Sequence, residues 1–351
     1  MSLDCDAVRL RQLRNEIRKD YLLDRWVVYA PERAKRPADF IAPRPKVEAK
    51  ACAFCPGNES LTPPANLLYV LKQNRILRSR DKAGKRRSDW IVRCIHNLYP
   101  AFQSSRSNGR SKQQARFPYV RSPAAGAHEI VIESPHHDGH PHLADEEQIE
   151  FWFQAAMERV RTLSSRWANV ALFRNHGREA GASIAHAHSQ IIATALVPDR
   201  IDQEQKAMGR FHDSTGYCAM CRIGSAEAET ERCIRNDENF TVIAPWASIF
   251  PFEFWIIPRK HSGTFLNLTR EEVDDLARTI RIMFRSLANL LSDPPYNMIF
   301  HAAPVKSRRS FHWHIEVYPK LSVHAGFELG TGMYINTQTP ESSADALRTV
   351  L

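Results

Sequence analysis

No apolar run in the 351 residues approaches the roughly 20 needed to span a bilayer. The N-terminal stretch MSLDCDAVRLRQLRNEIRKD lacks the apolar centre of an export signal. A cytoplasmic protein without a membrane partner is therefore expected. The seven cysteines are odd in number, which, without an export signal, argues against a disulfide framework and for thiolates kept as metal ligands. Acidic residues are nearly missing from one segment. Residues 75–121 hold 13 Lys/Arg against Asp81 and Asp89 alone, a local charge of +11 in a chain whose total is +9. The run 103–114 within it has no aromatic of the kind that stacks on bases. The whole basic segment 75–121, which holds the Ser/Asn/Gly/Gln-rich run 103–114, reads as a solvated loop inserted into the first half. The composition disfavours a nucleic-acid partner; a zinc-stabilised nucleic-acid-binding protein stays as the alternative from another class.

What is present centres on residues 181–192, GASIAHAHSQII. If this stretch is extended, His186, His188 and Gln190 share one face while Ala187 and Ser189 point the other way. Two imidazoles and an amide on one surface fit either catalysis or metal ligation. Upstream, 26–29 reads as a short strand running into the basic turn Pro31-Glu32-Arg33-Ala34-Lys35-Arg36-Pro37, too proline-bounded for a helix. Its cations fit a phosphate clamp or a solvated turn. Helical spacing covers 146–163, with Ile149, Phe153, Ala156 and Val160 on one face, and also 204–211 and 271–291. Strands are expected near 89–95, 128–133, 169–173, 240–244, 252–261, 297–300 and 311–319.

The landmarks recur. Cys52-x-x-Cys55 is answered by Cys218-x-x-Cys221, and HEIVIESPHH, ending at His137, by FEFWIIPRKH, ending at His261. His186-x-His188-x-Gln190 is answered by His312-x-His314-x-Glu316. Three landmarks in one order point to a duplicated unit, divided here as 1–197 and 198–351. Each half then supplies two cysteines, a histidine closing a strand and the first histidine of an H-x-H. Cys52, Cys55, His137 and His186 form one Cys2His2 set, and Cys218, Cys221, His261 and His312 another. Four such ligands without a carboxylate suit tetrahedral structural zinc, two ions per chain. His136 is the rival of His137. With His186 assigned to metal, His188 is left for nucleophilic or base chemistry, while His314, beside Glu316, reads as a structural residue in a degenerate copy.

These residues resemble the galactose-1-phosphate uridylyltransferases, the nucleotidyl-transferring branch of the histidine-triad superfamily. WVVYAPERAKRP, CAFCPGNE, WIVRCIHNLYPAF, HEIVIESPHH, FRNHGREAGASIAHAHSQ, FPFEFWIIPRKHS, FHWHIEVYP and AGFELGTGMYIN fall in that family's order over nearly the whole chain. The resemblance implies an α+β fold of two histidine-triad-like halves, each an antiparallel sheet with packed helices, and a homodimer. It implies a ping-pong reaction with nucleotide-sugar and sugar-phosphate partners. His188 would attack the α-phosphorus of UDP-glucose, and the nucleotidyl-histidine would pass its nucleotide to galactose 1-phosphate. Gln190 would hydrogen-bond the transferred phosphoryl group and Ser183 the diphosphate, with Arg33 and Arg36 near the phosphates. Asn97 and Asn175 would contact the nucleotide, Phe327 and Glu328 the hexose, and the first Cys2His2 set would be the family's structural zinc. The chain has Ala187 and Ser189 where the better-known enterobacterial members have Pro and Gly, and Phe327 where they have Tyr. In this, and in keeping both Cys-x-x-Cys pairs, it is nearer the plant-type branch, some of which are ADP-glucose phosphorylases. Adenylyl transfer from ADP-glucose to orthophosphate is accordingly the alternative reaction.

Overall fold

The computed structural model describes residues 15–35, 52–73, 75–82, 84–104, 114–307 and 309–351. In chain order the strands are β1 (Glu16–Lys19), β2 (Trp26–Tyr29), β3 (Ala65–Lys72), β4 (Arg75–Ser79), β5 (Val92–His96), β6 (Gln114–Arg116), β7 (Tyr119–Arg121), β8 (Gly126–Ile132), β9 (Asn169–His176) and β10 (His188–Thr194). They continue as β11 (Cys233–Asn236), β12 (Phe240–Ile243), β13 (Phe254–Pro258), β14 (Tyr296–His301), β15 (His314–Pro319) and β16 (Tyr334–Asn336). The helices are α1 (Glu146–Ser164), α2 (Asp199–Thr215), α3 (Ala219–Glu227), α4 (Arg270–Leu291), α5 (Gly326–Thr331) and α6 (Pro340–Arg348).

The fold is α+β. A single eleven-stranded antiparallel sheet carries strands of both 1–197 and 198–351, in the order β11-β12-β13-β15-β14-β9-β10-β8-β5-β3-β4. Antiparallel pairing of β9 with β14, Phe173 opposite Ile299, joins the two sides. A separate sheet, β1-β2-β16, ties the N-terminal segment to the C-terminal one. Helices α1 and α4 cover the back of the large sheet. Asp145 caps α1 by accepting from the Gln148 amide at 2.8 Å; Thr269 and Glu272 form a capping box on α4. The buried face of α1 carries Ile149, Trp152, Phe153, Ala156 and Val160, and that of α4 Val273, Leu276, Ile280, Met283 and Leu287. Each of the aliphatic and phenylalanine side chains among these larger than alanine contributes roughly 1.5–3 kcal/mol by leaving water.

Alternation along β10 sends Ser189, Ile191 and Ala193 into that helix-covered core. Trp152 Nε1 donates to Ser189 Oγ at 2.8 Å, pinning α1 to the strand. His188, Gln190 and Ile192 face the other side, with Gln190 opposite Ile130 of β8 and Phe173 of β9.

Three expectations change. The turn at 31–35 is a short 3₁₀ helix, since proline at its first position has no N–H to lose there. Residues 75–121 are not one inserted loop, because β4 and β5 are strands of the large sheet. The acidic Asp81 organises this stretch, accepting from the Ala65 and Arg87 amides and lying 3.4 Å from Arg93. β4 closes the sheet as a charge-bearing edge, Arg78 pairing with Glu158 at 2.7 Å. Residues 186–187 are not extended either, and β10 starts only at His188.

Candidate active site

The bend before β10 separates the two histidines. The His188 ring turns back so that Nδ1 lies 2.8 Å from the carbonyl oxygen of His186. A carbonyl only accepts, so the proton sits on Nδ1 and the Nε2 lone pair is left unprotonated. The ring packs edge-on against Phe54, centroids 5.4 Å apart, and is 5% exposed. That burial pulls the imidazole down from 6.5 to about 4; the bond to the His186 carbonyl opposes the shift, and the nearby Arg174 cation adds to it. A neutral imidazole with an unprotonated Nε2 has the form required of a nitrogen nucleophile.

Around it on the same sheet face stand Gln190, Asn97 and Asn175, all half-buried. Gln190 Oε1 lies 2.8 Å from Nε2 of His128 on β8, a residue the sequence reading passed over. Asn97 follows β5; its Oδ1 accepts from the Tyr99 amide at 2.9 Å, and its Nδ2 approaches the His128 ring at 3.1 Å. Asn175, near the end of β9, accepts on Oδ1 from Asn297 Nδ2 at 2.8 Å. The chain leaves Asn175 through Gly177 at φ +80°, where a Cβ would stand 2.6 Å from Pro295, so only glycine fits this turn. Ser183 is exposed in the loop that leads to His186.

His186 faces the cysteines. Its Nδ1 is 3.8 Å from Cys52 Sγ and 3.5 Å from Cys55 Sγ, and His137 Nδ1 is 3.4 Å from Cys55 Sγ. The rival His136 is not in this group. The other His186 nitrogen, Nε2, donates to the Ser134 carbonyl at 2.8 Å, which leaves Nδ1 deprotonated toward the sulfurs. The second set repeats the arrangement: His312 Nδ1 lies 3.5 Å and 3.3 Å from Cys218 and Cys221, His261 Nδ1 3.8 Å from Cys221, and His312 Nε2 donates to the Pro258 carbonyl at 2.9 Å. Within each set the ligand atoms are all within 4.8 Å of one another. Two sulfurs, two imidazoles presenting Nδ1, and in each set a carbonyl fixing the H-x-H histidine's tautomer, fit a tetrahedral zinc ion.

The second H-x-H copies the local geometry but is sealed. His314 Nδ1 reaches the His312 carbonyl at 3.1 Å, yet His314 is 0% and Glu316 1% exposed. Helix α2 lies over them, with Arg200 Nη2 3.3 Å from Glu316 and Glu204 2.9 Å from His301 Nδ1. Glu204, His301 and His314 form a third close group that the sequence reading did not assemble.

The remaining sequence-derived residues stand apart. Arg33 is exposed in the 3₁₀ turn after β2, and Arg36 lies outside the described residues. Phe327 is exposed on α5, and Glu328 Oε2 accepts from the Ala325 amide at 2.9 Å. Among the described residues, no hydrogen bond joins Arg33, Phe327 or Glu328 to His188 or Gln190.

Residues 91–198 match the profile of the galactose-1-phosphate uridyl transferase N-terminal domain, and residues 169–349 that of its C-terminal domain. The chain is 34% identical over 346 residues to ADP-glucose phosphorylase of Arabidopsis thaliana, covering 95% of this chain and 93% of the relative. It is 28% identical over 349 residues to the galactose-1-phosphate uridylyltransferase of Thermotoga maritima, covering 95% and 98%. The crystal structure of an ADP-glucose phosphorylase from Arabidopsis thaliana with bound ADP-glucose superposes with a TM-score of 0.79 at 32% identity, over 96% of this chain and 99% of that one. In sequence and in fold the chain belongs to the galactose-1-phosphate uridyl transferase family.

Proposed function

We propose that the protein moves a nucleotidyl group from a nucleotide sugar to a phosphate acceptor through a covalent intermediate on His188. The observation that carries this reading is the Nδ1–H bond to the His186 carbonyl, which leaves the Nε2 lone pair of a neutral imidazole on the face shared with Gln190, Asn97 and Asn175. In the first step that lone pair forms an N–P bond to the α-phosphorus. The bond from phosphorus to the bridging oxygen breaks, and hexose 1-phosphate leaves with the electron pair. Positive charge developing on the ring is met by the His186 carbonyl oxygen. In the second step an oxygen of the acceptor phosphate attacks the same phosphorus, and the imidazole recovers its lone pair. The acceptor arrives as an anion, so no separate base is needed. Gln190 donates to the phosphoryl oxygens, Ser183 contacts the diphosphate, and Asn97 and Asn175 contact the nucleotide. Arg33 and Arg36 supply cations for the phosphates, and Phe327 and Glu328 the hexose contact. Cys52, Cys55, His137 and His186, and likewise Cys218, Cys221, His261 and His312, would hold structural zinc that fixes the loops behind each H-x-H.

ADP-glucose with orthophosphate as acceptor is the reaction the similarity to the Arabidopsis phosphorylase favours. UDP-glucose with galactose 1-phosphate is the second reading, favoured by the full-length match to uridylyltransferases such as that of Thermotoga maritima. Intact-mass spectrometry after incubation with each nucleotide sugar separates them. An adenylyl adduct mapped to His188 is the expected result, and a uridylyl adduct there selects the second reading. No adduct with either donor overturns both.

The His188 environment also sets a pH profile. Because its folded-state value lies near 4, His188 stays unprotonated across the neutral range. The first-turnover rate of adduct formation is expected to be level from about pH 5.5 to 8. A rise with a midpoint near the ordinary imidazole value would contradict it. For stability the sign is that of a depressed group: the contribution is complete above the unfolded value of 6.5 and is lost as pH falls toward 4.

A further inference from the structure

His128 has no role in the reaction as set out above, yet its hydrogen bonds admit one arrangement. The Ala101 backbone N–H, which can only donate, lies 3.2 Å from His128 Nδ1. That nitrogen must therefore be the unprotonated one, and the ring proton sits on Nε2. Two side chains approach Nε2, Gln190 Oε1 at 2.8 Å and Asn97 Nδ2 at 3.1 Å. Asn97 cannot take the proton, because its acceptor, Oδ1, is engaged by the Tyr99 amide and its Nδ2 is a donor, which in this tautomer can give a proton only to the bare Nδ1, 3.5 Å away. The His128 proton goes to Gln190 Oε1. A glutamine amide with its oxygen held in this way turns its NH2 group the other way, and among the described residues nothing accepts from it. His128 is itself 8% exposed and held by β8, where it lies diagonal to Gln190 on the same sheet face.

We infer that His128 is a positioning residue: through its Nε2–H it fixes the amide of Gln190 so that two N–H donors, not the carbonyl oxygen, face the phosphoryl group on its way to His188. The inference rests on the nucleotidyl-histidine reading. Without the bond, the amide has two orientations related by a half-turn, and one of them aims a carbonyl dipole at phosphate oxygens. Donors set in place before reaction cost no reorganisation at the transition state, so the loss falls on the chemical step more than on binding. The chain of command runs from the backbone at Ala101, through one imidazole tautomer, to the amide.

The test is rapid-quench measurement of adduct formation with ADP-glucose, and with UDP-glucose if that donor labels the protein, on the full chain. The variants are His128→Leu, His128→Gln, Gln190→Ala and the double variant His128→Leu/Gln190→Ala. His128→Leu is expected to slow the first turnover about 10- to 100-fold with the half-saturating donor concentration changed less than about threefold. His128→Gln keeps an N–H donor near the Nε2 position and is expected to lie within about threefold of wild type. The double variant is expected to be no slower than Gln190→Ala alone, because the leucine then has no amide left to misdirect. Thermal midpoints of all four variants identify any that fail to fold; the His128→Gln rescue and the double variant are read on folded protein. Multiplicative effects in the double variant, or a wild-type rate in His128→Leu, overturn the inference while leaving the nucleotidyl-histidine intact. Absence of any adduct in the wild-type protein removes the reading beneath it and the inference with it.

Discussion

His188→Gly is expected to abolish the nucleotidyl-enzyme and to lower turnover by roughly four orders of magnitude or more, the scale on which a covalent nucleophile is lost. The variant should fold, because His188 sits at the rim of the sheet, where β10 begins, and its polar tie is to a neighbouring carbonyl. Its counterpart should behave in the opposite way. His314 is fully enclosed, stacked on His301 with centroids 4.9 Å apart and tilted against Trp255 at 5.5 Å. His314→Ala opens a cavity beside Glu316 and is expected to cost about 2–5 kcal/mol of stability, read as a lowered denaturation midpoint, while the His188 adduct still forms. Equal and complete loss of the chemical step in both, with folding intact, would mean that the two H-x-H motifs share the chemistry.

The contrast between His188 and His314 was partly visible in the sequence. Period-two alternation placed His188 with Gln190 and His314 with Glu316, and the exchange of an amide for a carboxylate marked the second pair as different. What covers the second pair was not visible. Helix α2 brings Arg200 and Glu204 onto His301 and Glu316 from more than 90 residues away in the chain, and no local pattern encodes that approach. The same limit explains the single large sheet. The pattern of 169–173 and of 297–300 identifies two strands, but their antiparallel pairing through Phe173 and Ile299 is a long-range choice made by packing.

His186 shows a different failure. Alternation assigned it to the face of His188, which holds only if the backbone is extended. The extended form would leave the His188 Nδ1 proton without the His186 carbonyl, and would point His186 away from Cys52 and Cys55. The approach of His186 to the Cys52 and Cys55 sulfurs and one hydrogen bond together outweigh strand propensity over two residues. His128 is not legible for a third reason: it opens HEIVIESPHH with no local pattern of its own, and its relation to Gln190 depends on the register of β8 against β10. Register belongs to the assembled sheet. A histidine at the start of a strand whose neighbour carries H-x-H-x-Q is the signal that would have drawn attention to it.

Metal analysis of the purified protein is expected to find about two zinc ions per chain, one for each Cys2His2 set, and their removal should have a large effect. The first set draws its ligands from 52–55, from His137 after β8 and from His186 before β10, so the ion would close two long loops onto the sheet. Structural zinc binding of this type carries apparent free energies of roughly 10–16 kcal/mol in small zinc peptides, and a larger fold with its own core should lose a fraction of that. The connection to the site is short: the Ala187 amide donates to the His137 carbonyl at 3.4 Å and the Glu133 amide to the Ala187 carbonyl at 3.1 Å. Cys55→Ser is therefore expected to remove one zinc, lower the denaturation midpoint and disturb His188 positioning. Cys221→Ser should remove the other zinc and lower the midpoint while leaving adduct formation near the wild-type rate, since its set anchors the sealed H-x-H. One zinc in the wild-type protein would reduce the second set to a relic. Two zincs with no loss of stability in either variant would mean that the core holds the H-x-H strands without them, and that the carbonyls of Ser134 and Pro258 suffice to orient His186 and His312.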